Sequence, residues 1–316
     1  MPYRHAADAF VPVQPYLKID CGLGEAPFHE EKTNTLRFVD IIGKKIYAID
    51  LDRGPGSLAV LGDLDVPVGV TADIEGTDAD ILIAAKTGFA VFNRKTQAYR
   101  EINRIWDERD GDVSSKEKRM RFNDGAVDSH GRFWAGAMDD PTIVDSTDEG
   151  VLFRLDPDGS LHRVLEGVTI PNGIGWSMDD KTMYFTDSPT KNIFAFDFDA
   201  ATGEISNRRV FFHVEHEEAV PDGFAIDEDG YVWTALFGGG RVLRISPEGK
   251  VVGEILLPTR CISCPGFAGD ELFITSAAEE EPDKYPESKR YAGSLFRCKV
   301  GVRGQLVHRS KYQIKT

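Results

Sequence analysis

The 316-residue chain carries only four cysteines, Cys21, Cys261, Cys264 and Cys298, too few at this size for a disulfide framework. It also lacks any uninterrupted apolar run near the roughly 20 residues that span a bilayer, so a soluble protein without a membrane partner is expected. Positive charge is in short supply. Lys and Arg number 37 against 52 Asp and Glu, and the net charge of −15 repels nucleic acid and anionic membranes while favouring cations. The opening MPYRHAADAFVPVQ has no continuous apolar stretch of the kind that marks a secretory signal, which predicts a cytoplasmic location.

Familiar catalytic phrases are missing as well. There is no Gly-x-Ser-x-Gly elbow, no Gly-x-Gly-x-x-Gly after a strand and no Walker loop. Long helical periodicity is scarce, which argues against a TIM barrel or a Rossmann fold, both of which need helices between strands. The charged stretch 107–120, DERDGDVSSKEKRM, is the exception; it is expected to form an inserted loop or short helix at the rim of the site.

A recurring phrase is what the chain does have. Short strands that follow a turn begin at Leu36 (LRFVD), Ile81 (ILIAA), Arg132 (RFWAG), Met183 (MYFTD), Tyr231 (YVWTA) and Leu272 (LFITS), at intervals of 45, 51, 51, 48 and 41 residues. That spacing is the period of a four-stranded propeller blade. Most copies are followed by a second strand, such as KKIYAIDL or NIFAFDFD, and several by a third after a DPDG, DAATG or SPEG turn. Six copies predict an all-β, six-bladed β-propeller with a central channel, a single domain over residues 1–316. The alternating VPVQPYLKI within residues 10–19 is expected to close the last blade by adding its outer strand.

The register of the repeats then points to a site. Asp222 and Asn123 lie nine residues before their strands, and Asn172 and Glu25 lie eleven before theirs. The difference is even and falls in the turn, so side-chain direction is preserved in a structure of period two. Glu25, Asn123, Asn172 and Asp222 should therefore converge, from four blades, on one mouth of the channel. An Asn or Asp alone in such a place ordinarily bonds turn backbone. Four in register form a hard-oxygen set suited to one divalent cation, with Ca²⁺ first and Mg²⁺, Mn²⁺ and Zn²⁺ also open. Other metal-binding residue types are less telling: His213 and His216 read as surface residues and Cys261 and Cys264 as packed thiols in a lone C-x-x-C; Trp134, Trp176 and Trp233 read as core between blades.

The ordered stretches LGEAP (23–27), RFNDGAVDSHGRFWAGAMD (121–139), IPNGIGWSMDDKTMYFTDS (170–188), VPDGFAIDEDGYVWTA (220–235) and LPTRCISCPGFAGDELFITSA (257–277) resemble the regucalcin (senescence marker protein), gluconolactonase and luciferin-regenerating enzyme family. The resemblance implies a propeller holding one divalent cation through Glu25, Asn172 and Asp222, with Asn123 beside the metal and Arg121 contacting a substrate hydroxyl. It also implies metal-dependent hydrolysis of sugar-acid lactones. In that chemistry the cation polarises the ring carbonyl, and Asp222 is the candidate general base for the attacking water. A non-catalytic calcium-binding or protein-interaction propeller is the alternative, and hydrolysis of organophosphate esters a distant third. Ala26 in place of a usual glycine, Phe28-His29, and Pro265 depart from the family pattern and bear on substrate preference.

Overall fold

The structure, a computed structural model, describes residues 14–314. Six four-stranded antiparallel sheets stand in a ring, five of them meandering outward in chain order from an inner strand and the sixth completed by the first strand of the chain. The inner strands are Gly24–Glu30, Val68–Asp73, Met120–Val127, Pro171–Trp176, Val220–Ile226 and Ile262–Ala268, and we number the blades one to six in that order. Each packs against its neighbours round the ring, the first against the sixth included. The strands that carried the recurring phrase are the second in each blade. They are almost wholly buried, and their side chains fill the spaces between sheets.

Blade six is built from both ends of the chain. Its outer strand is Pro15–Leu17, paired antiparallel with Leu295–Lys299, so an edge at the junction is covered by main-chain pairing. Residues 10–13 of the segment expected to close this blade lie outside the described residues.

The repeated phrase also explains what holds a blade. Asp227 is fully buried; its Oδ1 accepts from the backbone N–H groups of Asp229 and Tyr231, and its Oδ2 from Trp233 Nε1 at 2.9 Å and Arg244 Nη2 at 2.7 Å. Asp128 repeats the arrangement in blade three with His130, Arg132 and Trp134. One carboxylate thus closes the turn and seats the indole of the next strand, which satisfies polar groups that burial would otherwise penalise. Trp134, Trp176 and Trp233 are core residues, as expected.

Residues 107–120 form a 3-10 turn at Glu108–Asp110 and a short helix at Val113–Arg119, the latter capped by Asp112 accepting from Ser115 N at 3.0 Å. The helix feeds directly into the inner strand of blade three and is tied down by Lys116 and Arg119 on Glu149, both at 2.7 Å.

One end of the channel is crossed by the C-terminal segment. Glu228 N donates to Arg303 O and Gln305 N to Ile226 O on blade five; Ser310 N then donates to Asp73 O on blade two, and Lys311 N to Gly131 O on blade three. No helix among the described residues is long and apolar enough to cross a membrane.

Candidate metal and active site

Every inner strand slips in register against its neighbour at the same level of the channel. The shifts fall between Glu25 and Phe28, Val68 and Val70, Phe122 and Gly125, Asn172 and Ile174, Pro221 and Phe224, and Ile262 and Pro265. A bulge leaves one residue out of the ladder and re-aims its side chain. Glu25, Asn123, Asn172 and Asp222 all sit at these slips, and all four are buried. The close approach of the strands here demands small residues. A Cβ on Gly69 would lie 2.1 Å from the carbonyl oxygen of Asn123, so blades two and three can meet only over a glycine. Blade one has Ala26 at its bulge, with φ of 49°, in the left-handed region that an alanine adopts at a cost.

The segments that enter these strands are pinned from beneath by the aspartate that ends a second strand. Asp40 accepts from the N–H groups of Gly22 and Leu23, three and two residues before Glu25, at 3.0 Å each. Asp187 accepts from Ile170 N at 3.0 Å and Thr169 N at 3.2 Å, in the same relation to Asn172. Fixed entry angles therefore set where the two side chains emerge.

A directed chain of hydrogen bonds then links three blades. Arg121 Nη1 donates to Asn123 Oδ1 (2.8 Å), Asn123 Nδ2 to Asn172 Oδ1 (2.9 Å), Asn172 Nδ2 to Ser188 Oγ (2.8 Å), and Ser188 Oγ to the carbonyl of Pro221 (2.7 Å), next to Asp222. A guanidinium can only donate and a prolyl carbonyl can only accept, so the orientation of both amides between them is forced. Asn172 keeps its oxygen, with a second lone pair, toward the channel residues.

Three carboxyl groups face one another across this level. Burial, then the charges of Asp222 and Asp124, pushes Glu25 well above the usual carboxylate range. Burial, then Asp124, does the same to Asp222, and burial brings Asp124 up to about 6. Asp222 Oδ1 is buried without a hydrogen-bond partner. Glu25 has one intramolecular bond, from Ala26 N at 3.3 Å. Such a group of acids is costly unless protonated or joined by positive charge.

The donor set fits a hard divalent cation. Glu25 and Asp222 supply carboxylate oxygens and Asn172 an amide oxygen, and the orphaned Asp222 Oδ1 is an acceptor with nothing to accept from. No group of three or more His, Cys, Asp and Glu side chains among the described residues is arranged to hold a metal. His213 is an exposed residue bonded to Asn192, and His216 Nδ1 accepts from Glu218 N and Ala219 N. Cys261 and Cys264 are free and buried, and burial raises both thiols, Cys261 to about 12.

Two contributors escaped the sequence reading. Asp124 follows Asn123 directly, and in a regular strand adjacent residues point to opposite faces; the bulge between Phe122 and Gly125 brings Asp124 to the channel as well. Ser188 lies at the start of the loop after a second strand, outside the repeated positions.

The two ends of the channel differ. Beyond the carboxyl groups, the second halves of the inner strands enclose a cavity of about 180 Å³ with walls such as Val70, Ile174, Trp176, Phe224 and Phe267, under C-terminal residues 305–308. At the entry end of the strands, Arg121 and Asp140 border a second recess of about 380 Å³ together with Ile42, Lys44, Lys86 and Thr142.

Residues 23–278 match the family described as SMP-30/Gluconolactonase/LRE-like region. The chain belongs to that family. Regucalcin of Xenopus laevis is 34% identical over 305 residues, covering 91% of this chain and 96% of that protein. A putative sugar lactone lactonase of Bacillus subtilis is 29% identical over 286 residues, covering 89% and 92%. Among solved structures, a luciferin-regenerating enzyme superposes with a TM-score of 0.81 at 27% identity, covering 92% of this chain and 96% of that one. The six-bladed propeller and the family resemblance expected from the sequence therefore both hold.

Proposed function

We propose that this protein hydrolyses sugar-acid lactones at the open mouth of the channel, with Glu25, Asn172 and Asp222 holding one divalent cation, Ca²⁺ before Mg²⁺, Mn²⁺ or Zn²⁺. The observation that carries the reading is the buried, unpartnered Asp222 Oδ1 beside Glu25, an acceptor that a cation between the two carboxylates would satisfy. Family membership and the similarity to a putative sugar lactone lactonase support the substrate class. When bound, the cation supplies Lewis acidity for the lactone carbonyl oxygen.

The chain's own residues do the rest. Arg121, buried and with Nε free of a hydrogen bond, presents a donor to a substrate hydroxyl, and its Nη1 holds Asn123 in place. Asn123, one bond from Asn172, is the substrate contact nearest the ligands. Asp222 accepts the proton of the attacking water as its oxygen adds to the carbonyl carbon; the acyl–oxygen bond of the ring then breaks, the ring oxygen takes up the proton held by Asp222 and leaves as a hydroxyl, and the product is the open hydroxy acid. The apolar wall behind the carboxyl groups keeps them in a low dielectric, which strengthens their interaction with developing charge.

Acid release from a panel of aldonolactones, with and without chelator, tests the proposal. Turnover that chelator abolishes and added cation restores supports it. Cation binding with no acid release from any lactone would identify a non-catalytic binding propeller instead.

A further inference from the structure

The recess beside Arg121 gathers three basic side chains, with two acids, in a chain of net charge −15. Its walls come from three blades and include Lys44 and Lys86 from turns of blades one and two and Arg121 from the inner strand of blade three. In a chain with 52 carboxylates, neither Lys44 nor Lys86 is ion-paired among the described residues. Lys44 Nζ donates to the carbonyl of Asp65 at 3.0 Å, and Lys86 Nζ to that of Lys118 at 2.7 Å; each ammonium keeps two further donors. The two acids in the same walls are already engaged. Asp65 accepts from the Tyr99 hydroxyl at 3.1 Å, and Asp140 Oδ1 from Thr142 N and Oγ1 at 3.0 and 2.7 Å. Arg121 Nε stands 3.7 Å from Asp140, too far for a hydrogen bond, and is buried without another partner.

Like charges are gathered here against their mutual repulsion. Lys86, half-buried, is held below the usual lysine range chiefly by burial; the Asp140 charge opposes this, and the smaller effects of Lys44 and Arg121 add to it. Arg121 also feels Glu25 and Asp222, so this one side chain borders both the cation ligands and the lysine recess. The exposed Ile42 and Ile143 flank the opening and lower the local dielectric once a ligand covers them.

We propose that the lactone taken by this protein carries an anionic substituent at the end remote from the reacting carbonyl, and that Lys44 and Lys86 bind it while Arg121 spans the sugar hydroxyls between. The inference rests on reading the mouth as a lactone site and narrows that reading to acidic sugar lactones. A carboxylate, as in an aldarolactone, and a phosphate, as in a sugar-phosphate lactone, present the same chemistry to two ammonium groups.

The test compares acid release from glucono-1,5-lactone, which is neutral, glucaro-1,4-lactone, which bears a carboxylate, and 6-phosphoglucono-1,5-lactone, in the cation-loaded wild type, Lys86→Gln and Lys44→Gln. The expected result is a kcat/KM at least about tenfold higher for one of the two anionic lactones, and which one it is identifies the group. In Lys86→Gln that preference ratio should fall about tenfold, mainly through KM, and high salt should erode it in the wild type. Equal or better hydrolysis of the neutral lactone, or an unchanged preference in both variants, would overturn the inference while leaving lactone hydrolysis intact. Should no lactone turn over, calorimetric titration with glucarate and gluconate decides: tighter glucarate binding that Lys86→Gln removes keeps the anion recess and discards the hydrolase, whereas equal binding discards the recess as well.

Discussion

The two ends of the channel are made by the same six strands and share almost nothing chemically. Toward the entry of the strands lie Arg121, Asn123, the paired carboxylates Glu25 and Asp222, and a recess with two unpaired lysines. Toward their exit lies an apolar cavity under a C-terminal strap that ties blade five to blades two and three. The ring of bulges separates the two. Below it the strands pair regularly and bury hydrophobic side chains; at it the ladder is interrupted, and polar side chains turn toward the axis. The propeller thus turns its candidate site residues toward the axis at one level, while buried acids elsewhere, such as Asp128 and Asp227, are satisfied within their own blades.

If this division is right, substitutions at the bulges should change chemistry more than stability, and substitutions beyond them the reverse. The largest effect is expected from Asp222→Asn, which removes the proposed ligand charge and the proposed base together: activity should fall by about 10³-fold or more and saturating cation should restore little. Asn172→Ala acts through affinity alone, so saturating cation should recover much of its rate. Similar recovery in both variants, read from initial rates against cation concentration, would reduce Asp222 to a ligand. At the other end, Asp227→Ala strips one partner from a buried network that includes Trp233 and Arg244 and should cost about 3–5 kcal/mol by chemical denaturation. Cation affinity in the folded variant should stay near wild type, and a comparable loss of both would blur the division.

The pH dependence of the cation-free protein gives a smaller effect. Glu25, Asp222 and Asp124 have folded-state pKa values above their ordinary ones, so the folded chain binds more protons than the unfolded chain above about pH 4. Stability should therefore fall as pH rises from about 4 through 6 and remain low above the raised values. Saturating cation should suppress this fall, so thermal melts should show a larger rise on adding Ca²⁺ at pH 8 than at pH 5; an equal rise at both would place the cation elsewhere. Ser188→Ala removes the hydroxyl that orients the Asn172 amide, and should weaken cation binding by about tenfold with little change in melting temperature. The smallest expected effect is a gain: Ala26→Gly relieves the left-handed backbone at the blade-one bulge and should stabilise by up to about 1 kcal/mol.

Much of this organisation could be read from the chain because a propeller repeats itself. The six phrases located the second strands, and an even offset carried Glu25, Asn123, Asn172 and Asp222 to one level without any knowledge of the bulges. The same reasoning concealed Asp124, since strict alternation turns the neighbour of a channel residue away, and only a bulge overrides it. Ser188, Lys44 and Lys86 escaped for another reason. They sit on loops between strands, where no periodicity applies and where only the packing of neighbouring blades brings them to the site. The C-terminal strap had no counterpart among the repeats. Arg37, fully buried and joined to Glu30 and Asp73 across the seam of blades one and two, reads in sequence as an ordinary polar residue of a strand.

The central claim is that Glu25, Asn172 and Asp222 hold a single divalent cation at the mouth of the channel. Calorimetric titration of Ca²⁺ into the chelator-treated wild type, Glu25→Gln and Asp222→Asn tests it most directly. The account predicts one ion per chain in the wild type and binding weakened at least about a hundredfold in each variant; stoichiometric binding that survives both substitutions unchanged would contradict it.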